Sequence, residues 1–381
     1  MKITDVETIV LQVELEQPVW SATALAAKSY EKIAALRGAV LVKVYTDEGI
    51  VGIGQAHGGL ETLPPVRTAI ETVMKPYLIG QDPFFAEGIW SKIYGASFMN
   101  GRRGVIISAL SGIDVALWDI MGKATGQPIY RLLGASRDRV MGYATGGFYA
   151  HGKTPADLGE EMAGYAARGF RAAKMKFAAL PLKQDLERAR AAREAVGDGM
   201  LLMADANRNY SPKAAIRAAN QLEEMGFAWL EEPISPDDLE GCAAVAAGTT
   251  LPIAGYETES TVYGFRELIT RRAVDIVQPD VVWHGGFTEC RRIAGMAHTW
   301  GLRVCMHAWS SAIALVAGLH MAGSAPNAWM VEMDQVANPL ISEMITEPVQ
   351  IEPDGNVTIP GKPGLGIELN EDFVRRHRID Q

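Results

Sequence analysis

The chain has 381 residues, of which 48% are hydrophobic and 21% charged, with a formal net charge of −9. That length exceeds one ordinary core and fits a barrel of about 200–250 residues plus a second domain. The acidic balance, with no basic tract, argues against nucleic acid as a partner, and an anionic substrate then needs a local positive centre to overcome the chain's own field.

Residues 1–55 read as strands. Ile3–Glu14 and Ala39–Tyr45 are rich in β-branched residues, and Thr46-Asp47-Glu48-Gly49 is a hairpin turn. Asp5 sits where a signal peptide needs an apolar run. Gln17–Lys32, with Pro18 and Trp20, is a loop long enough to serve as a lid. From residue 63 to 125 the pattern is helical. Ile106, Ile107, Leu110, Ile113, Leu117, Ile120 and Met121 recur at three- and four-residue steps, and Gly126 and Pro128 end the run. No stretch is read as a membrane span of about 18 apolar residues.

From residue 138 the rhythm changes. Strands are expected near Val140–Thr145, Phe170–Phe177, Leu201–Asp205, Phe227–Glu231, Pro252–Tyr256, Val274–Pro279, Leu302–His307 and Trp329–Glu332. Helical patterns fill most gaps, including Lys183–Val196, Pro212–Met225 and Phe287–Trp300. Repeated βα units mean a parallel sheet, and a run of eight favours a closed barrel. No GxGxxG follows a first strand, which speaks against nucleotide binding. Val349–Asp380 returns to turns and short strands and is expected to leave the barrel and pack on the first domain. Cys242, Cys290 and Cys305 lack CxxC spacing, which points to a reducing compartment, and a cytoplasmic location is expected.

Catalytic side chains of such barrels come from the C-terminal ends of strands. Those ends carry Lys174-Met175-Lys176, Asp205, Glu231, Glu257, Asp280, His307 and Glu332. Counted from Lys176, the intervals are 29, 26, 26, 23, 27 and 25 residues, one βα unit each. Asp205, Glu231 and Glu257 sit on successive strands about 4.8 Å apart, so their carboxylates converge. Like charges that close need a cation. Carboxylates suit Mg²⁺, with Mn²⁺ as the alternative, and no Cys or His completes a zinc set. Each acid alone reads equally well as a helix cap; the three together do not. Glu232 points to the opposite face from Glu231. Glu259 and Asn207 lie two residues past Glu257 and Asp205 and are weaker candidates for the metal or substrate.

Lys174 and Lys176 are two apart, so both face the barrel mouth. Adjacent ammonium groups and a nearby metal are expected to lower their pKa and make a usable base. The blander alternative is a lysine pair bound to barrel carboxylates. Asp280 and His307 come from adjacent strands, the pattern of a base and its orienting carboxylate. Glu332 lies between that dyad and the lysines, and a raised pKa would let it donate to a substrate carboxylate.

These residues resemble the mandelate racemase subgroup of the enolase superfamily, along nearly the whole chain. The matching runs are Ser111–Lys123, Lys174-Met175-Lys176, Asp205-Ala206-Asn207, Glu231-Glu232-Pro233, Gly255-Tyr256-Glu257, Gln278-Pro279-Asp280, Met306-His307 and Val331-Glu332. The resemblance implies a (β/α)₇β modified TIM barrel with an α+β capping domain. The expected divisions are 1–128 for the cap, 129–348 for the barrel and 349–381 for a returning segment. It implies one Mg²⁺ per subunit on Asp205, Glu231 and Glu257. Lys176 would be one base, tuned by Lys174. His307, backed by Asp280, would be the other, and Glu332 an electrophilic partner. A Lys or His base with Mg²⁺ holding the ene-diolate is that superfamily's known pattern. A homo-oligomer, dimer or octamer, is also implied.

Gly52-Ile53-Gly54-Gln55, Tyr256 and Trp283-His284 depart from the family's usual residues and bear on the substrate rather than the metal. Trp20, His57, Trp283 and Trp309 are candidate substrate contacts, although packing alone would explain each aromatic. The expected reaction is removal of the proton α to a carboxylate, with dehydration of an acid sugar to a 2-keto-3-deoxy acid. The alternatives are opening of a sugar lactone (a galactarolactone-type cycloisomerase), for which His307-Ala308-Trp309 speaks, and 2-hydroxy-acid racemisation. A non-catalytic metal-binding barrel is the remaining reading; no expected residue is missing to support it.

Overall fold

The computed structural model describes residues 1–23 and 34–380; most of the expected Gln17–Lys32 lid lies outside them. Strands β1 (Ile3–Glu14), β2 (Leu36–Thr46) and β3 (Val51–Ala56) form an antiparallel sheet in that order. The β2–β3 turn closes where Gly49 takes φ 78°, a conformation open to glycine. Helix Val105–Thr125 packs against this sheet at very short range. A Cβ at Gly54 would stand 2.1 Å from the Gly112 carbonyl oxygen, and one at Gly112 would stand 2.8 Å from the Ala56 nitrogen. Backbone cannot yield there as a flexible side chain can. Gly54→Ala is expected to cost about 1–3 kcal/mol of stability, read by denaturant unfolding.

The same helix corrects one expectation. It has 21 residues with a mean hydropathy of 1.6 over its most apolar window, enough by length and composition to cross a membrane. In the fold, 89% of that window is buried, and Asp114 and Asp119 within it are bonded inside the protein. It is apolar on all sides because protein surrounds it. The sheet covers one side, and Thr288 and Leu365 meet it from the barrel and the C-terminal segment.

Eight parallel strands then close a barrel: β4 (Arg139–Gly146), β5 (Ala172–Lys176), β6 (Leu201–Asp205), β7 (Trp229–Glu231), β8 (Ile253–Gly255), β9 (Ile276–Val277), β10 (Arg303–Met306) and β11 (Ala328–Asp334). β11 pairs with β4 and shuts the ring. Seven helices of nine or more residues alternate with these strands, from Pro155–Ala167 to Ala312–Ser324, which makes the barrel (β/α)₇β. Each strand sends one residue into a closed inner cluster: Tyr143, Ala172, Met203, Trp229, Ala254, Ile276, Cys305 and Met330. This layer floors the barrel. With side chains alternating along a strand, the next inward layer lies two residues further on.

The C-terminal segment does not leave the barrel at once. Strand β12 (Asn356–Thr358) pairs antiparallel with Arg139–Met141 of β4. Those residues lie before the stretch that β5 covers, so their backbone groups need another partner. The chain then returns to the cap. Leu365 N–H donates to Asp119 (2.8 Å), and Ile379 N–H donates to the Val10 carbonyl (2.9 Å).

His320 joins these parts from inside helix Ala312–Ser324. Its Nδ1 accepts from Tyr130 N–H (3.2 Å), so Nε2 carries the proton and donates to the Leu365 carbonyl (3.0 Å). Burial pushes its pKa down to about 4. An unfolded histidine takes a proton below about pH 6.5. The fold's preference for the neutral ring is intact above that pH and is lost as pH falls toward 4. The expected loss approaches about 3 kcal/mol at pH 4. Denaturant midpoints at pH 7 and 5 check this, and His320→Gln should flatten the difference.

Candidate active site

The chemistry sits one layer above the barrel floor. Thr145, Lys174, Asp205, Glu231, Gln278, His307 and Glu332 each follow a floor residue by two. Glu257 follows Ala254 by three, just past the end of β8. Asp205 lies level with Lys176 on one side and with Glu231 on the other.

Among the described residues, one acidic group could hold a metal: Asp205, Glu231 and Glu257, with ligand atoms all within 4.8 Å of one another. An all-carboxylate set suits a hard divalent cation. Here lysines supply the opposing charge. Lys174 Nζ lies 2.5 Å from Glu231, 3.0 Å from Glu332 and 3.9 Å from Asp205, and Lys176 Nζ lies 2.5 Å from Asp205. Trp229 Nε1 (3.1 Å) and Gln278 Nε2 (2.7 Å) both donate to Glu231 Oε2.

Burial and the neighbouring acids act on the two lysines in opposite directions. Burial alone would push Lys174 and Lys176 down, but Glu231 and Glu332 around the first and Asp205 beside the second raise both. Both lysines lie within ion-pair distance of the acids, which is the blander alternative the sequence left open. Glu231 is pushed up to about 7, by burial first and then by Asp205, against the pull of Lys174. Opposing influences also meet at Glu332. Burial raises it, but Lys174 and His307 outweigh that and hold it below the ordinary value. As an acceptor it takes hydrogen bonds from Thr145 Oγ1 (2.6 Å) and, more loosely, Ala308 N–H (3.4 Å).

His307 Nδ1 lies 2.6 Å from Asp280 Oδ2, and Val282 N–H fixes the other oxygen of that acid. Nε2 then faces Glu257 (3.1 Å) and Glu332 (3.5 Å). Burial lowers the His307 pKa, yet Glu257 and Glu332 raise it well above the ordinary value. Sequence reasoning singled out His284, with Trp283, as a departure bearing on the substrate but gave it no part beside the dyad. Its Nδ1 accepts from Asp280 N–H (2.9 Å), and its Nε2 donates to the Glu257 carbonyl (2.7 Å). It links the backbone of a candidate ligand to that of the His307 partner. Gln278 and Trp229 were missed as well. Extending the two-residue period from the barrel floor would have found Gln278.

The remaining candidates divide. His57 stacks on Trp283, with centroids 4.0 Å apart, and lies 6.1 Å from Trp309. Trp283 is 6.1 Å from His307, so these aromatics gather beside the dyad. Burial lowers His57 to about 4, and its buried Nδ1 has no hydrogen-bond partner among the described residues. Asn207 donates its backbone and side-chain N–H groups to Asp205 (2.9 and 3.1 Å). Trp20 instead pairs its backbone with Tyr149, and its ring lies 4.8 Å from His151. Glu232 turns away to Arg208 and Thr258, and Glu259 to Arg103.

Known proteins share both halves of this architecture. Residues 8–134 match the mandelate racemase / muconate lactonizing enzyme N-terminal domain, and residues 157–373 match the enolase C-terminal domain-like family. The chain belongs to the mandelate racemase subgroup of the enolase superfamily. It is 38% identical to an arabinonate dehydratase of Saccharolobus solfataricus, over 89% of this chain and 90% of that one. It is 39% identical to a D-galactarolactone cycloisomerase of Agrobacterium fabrum, over 100% and 99%. The crystal structure of a racemase from Streptomyces coelicolor A3(2) with bound magnesium aligns with a TM-score of 0.88 at 29% identity, covering 99% of this chain and 100% of that one.

Proposed function

We propose that this protein removes the proton α to the carboxylate of an acid sugar and then expels the β-hydroxyl, giving a 2-keto-3-deoxy acid. The observation that carries this is the gathering of Asp205, Glu231 and Glu257 within 4.8 Å, flanked by Lys176 and an Asp280-backed His307. The three acids would hold Mg²⁺, or Mn²⁺ in its place. When bound, the ion supplies Lewis-acid stabilisation to a substrate carboxylate as negative charge builds there. Lys176 takes the proton from C2, with Lys174 beside it. The C2–H electron pair first moves onto the carboxylate as an ene-diolate, which can be reprotonated at C2, and then forms the C2–C3 double bond as the C3–O bond breaks. His307 Nε2 delivers a proton to the departing hydroxide, which leaves as water, and the enol becomes the ketone. The Asp280 carboxylate on His307 Nδ1, 2.6 Å away, supports the imidazole's role as the acid. Glu332 accepts bonds that hold Lys174 and His307 in place. We assign residues 1–128 to the cap, 129–348 to the barrel and 349–381 to the returning segment.

Lactone opening is the second reading. The full-length likeness to the D-galactarolactone cycloisomerase and the Trp309–His57–Trp283 group beside His307 favour it. A panel of arabinonate, xylonate, galactarate and galactarolactone, incubated with Mg²⁺ in D₂O, separates the two. A ketone product is expected from at least one acid. A ketone formed from galactarolactone without loss of water selects lactone opening, and deuterium at C2 without ketone selects racemisation. Neither outcome from any acid sugar or lactone overturns the proposal.

A further inference from the structure

Arg188 lies on the helix that follows β5, Leu182–Val196, and is buried to 6% exposure. An arginine on the outer helices of a barrel ordinarily reaches water. This one turns inward and grips two strand ends. Its Nη1 donates to the Lys176 carbonyl (2.9 Å) and to Asp185 Oδ1 (3.1 Å). Its Nη2 donates to the Gly147 carbonyl (2.7 Å), just past β4. The guanidinium lies 4.0 Å over the Tyr149 ring. Tyr149 donates its hydroxyl to Asp185 (2.5 Å) and accepts from Ala179 N–H (3.2 Å). Leu180 N–H donates to the other Asp185 oxygen (3.1 Å). The loop after Lys176 is thus held at several points by one cluster. Tyr149 also exchanges backbone hydrogen bonds with Trp20 of the cap, each 3.0 Å.

We propose that Arg188 and Tyr149 are positioning residues for Lys176, and that they tie its main chain to the cap segment at Trp20. The proposal rests on the reading of Lys176 as the base. A planar fork can donate to two carbonyls while its face stacks on a ring, and an ammonium cannot. The Lys176 carbonyl belongs to the residue whose Nζ must meet the substrate. A shift of about 1 Å at the reacting atoms costs about 10²-fold in rate. Neither Arg188 nor Tyr149 donates to or accepts from the candidate metal ligands.

The test compares wild type with Arg188→Met, Arg188→Lys, Tyr149→Phe and Lys176→Met on the four-compound panel above. Turnover, C2 deuterium uptake, Mg²⁺ affinity, melting temperature and backbone hydrogen exchange over residues 176–181 are measured. Arg188→Met is expected to lose about 10²-fold in kcat with KM changed less than about threefold. Its Mg²⁺ affinity stays at the wild-type value, and exchange over 176–181 speeds up. Arg188→Lys does not rescue it. Tyr149→Phe shows a smaller loss in the same direction, and decides the matter if Arg188→Met fails to fold. Wild-type kcat, or unchanged exchange over 176–181, overturns the proposal. So does a kcat loss matched by equal losses in Mg²⁺ affinity and melting temperature. Lys176→Met with full C2 exchange would instead overturn the reading of the base, while the amide exchange still judges the clamp.

Discussion

Lys176→Ala should lower turnover by about 10²–10⁴-fold, the usual contribution of a positioned general base. C2 deuterium uptake should fall with it, because both need the same proton removed. The substitution also deletes the cation 2.5 Å from Asp205. An uncompensated buried carboxylate is costly, so the variant without metal should melt well below wild type. Saturating Mg²⁺ should restore most of that stability, since the acids then have another partner. Activity should not return with it. That difference separates loss of the base from loss of the fold. Lys176→Ala with wild-type exchange at C2 would show that another group takes the proton.

Chelation should abolish activity outright, and added Mg²⁺ should restore it. Asp205 and Glu231 stand on paired strands and Glu257 lies just past the next one, so their backbones stay near one another when the ion is withdrawn. Lys174 and Lys176, 2.5 Å from Glu231 and Asp205, are then the cations left beside them. A lysine bound that way has a raised pKa and is a poor base near neutral pH. Mg²⁺ should also raise the melting temperature, by an amount that follows the ratio of free ion to Kd. Asp205→Asn should weaken both effects. Full turnover in excess EDTA would remove the metal from the reaction.

Much of this was legible in the sequence because barrel chemistry is tied to spacing. Strand-end residues at one-unit intervals identified the three acids, the lysine pair and the Asp280–His307 dyad without any coordinates. The structure then placed them together. Pairwise charge balance was less legible. The signs of the shifts at Lys174, Lys176 and Glu332 depend on which neighbour is nearest, and strand order gives proximity only to about a strand spacing. Partners that act through backbone atoms were least legible. His284 serves Asp280 and Glu257 through backbone atoms, and Arg188 reaches Lys176 across a turn, so neither leaves a spaced pattern. The pairing of β12 with β4, before the segment returns to the cap, was not legible either. What β12 answers is an open stretch of β4 backbone, a need that side-chain patterning does not report.

The eight-residue plug beneath the site has a consequence for how such a protein can change. Each plug residue anchors its strand, while most reacting groups stand on the rung above, two positions along the same strand. Substitutions on the upper rung alter reactivity and leave the lower rung packed. New reactions can therefore be tried by lineage or by engineer as single replacements, without refounding the barrel each time.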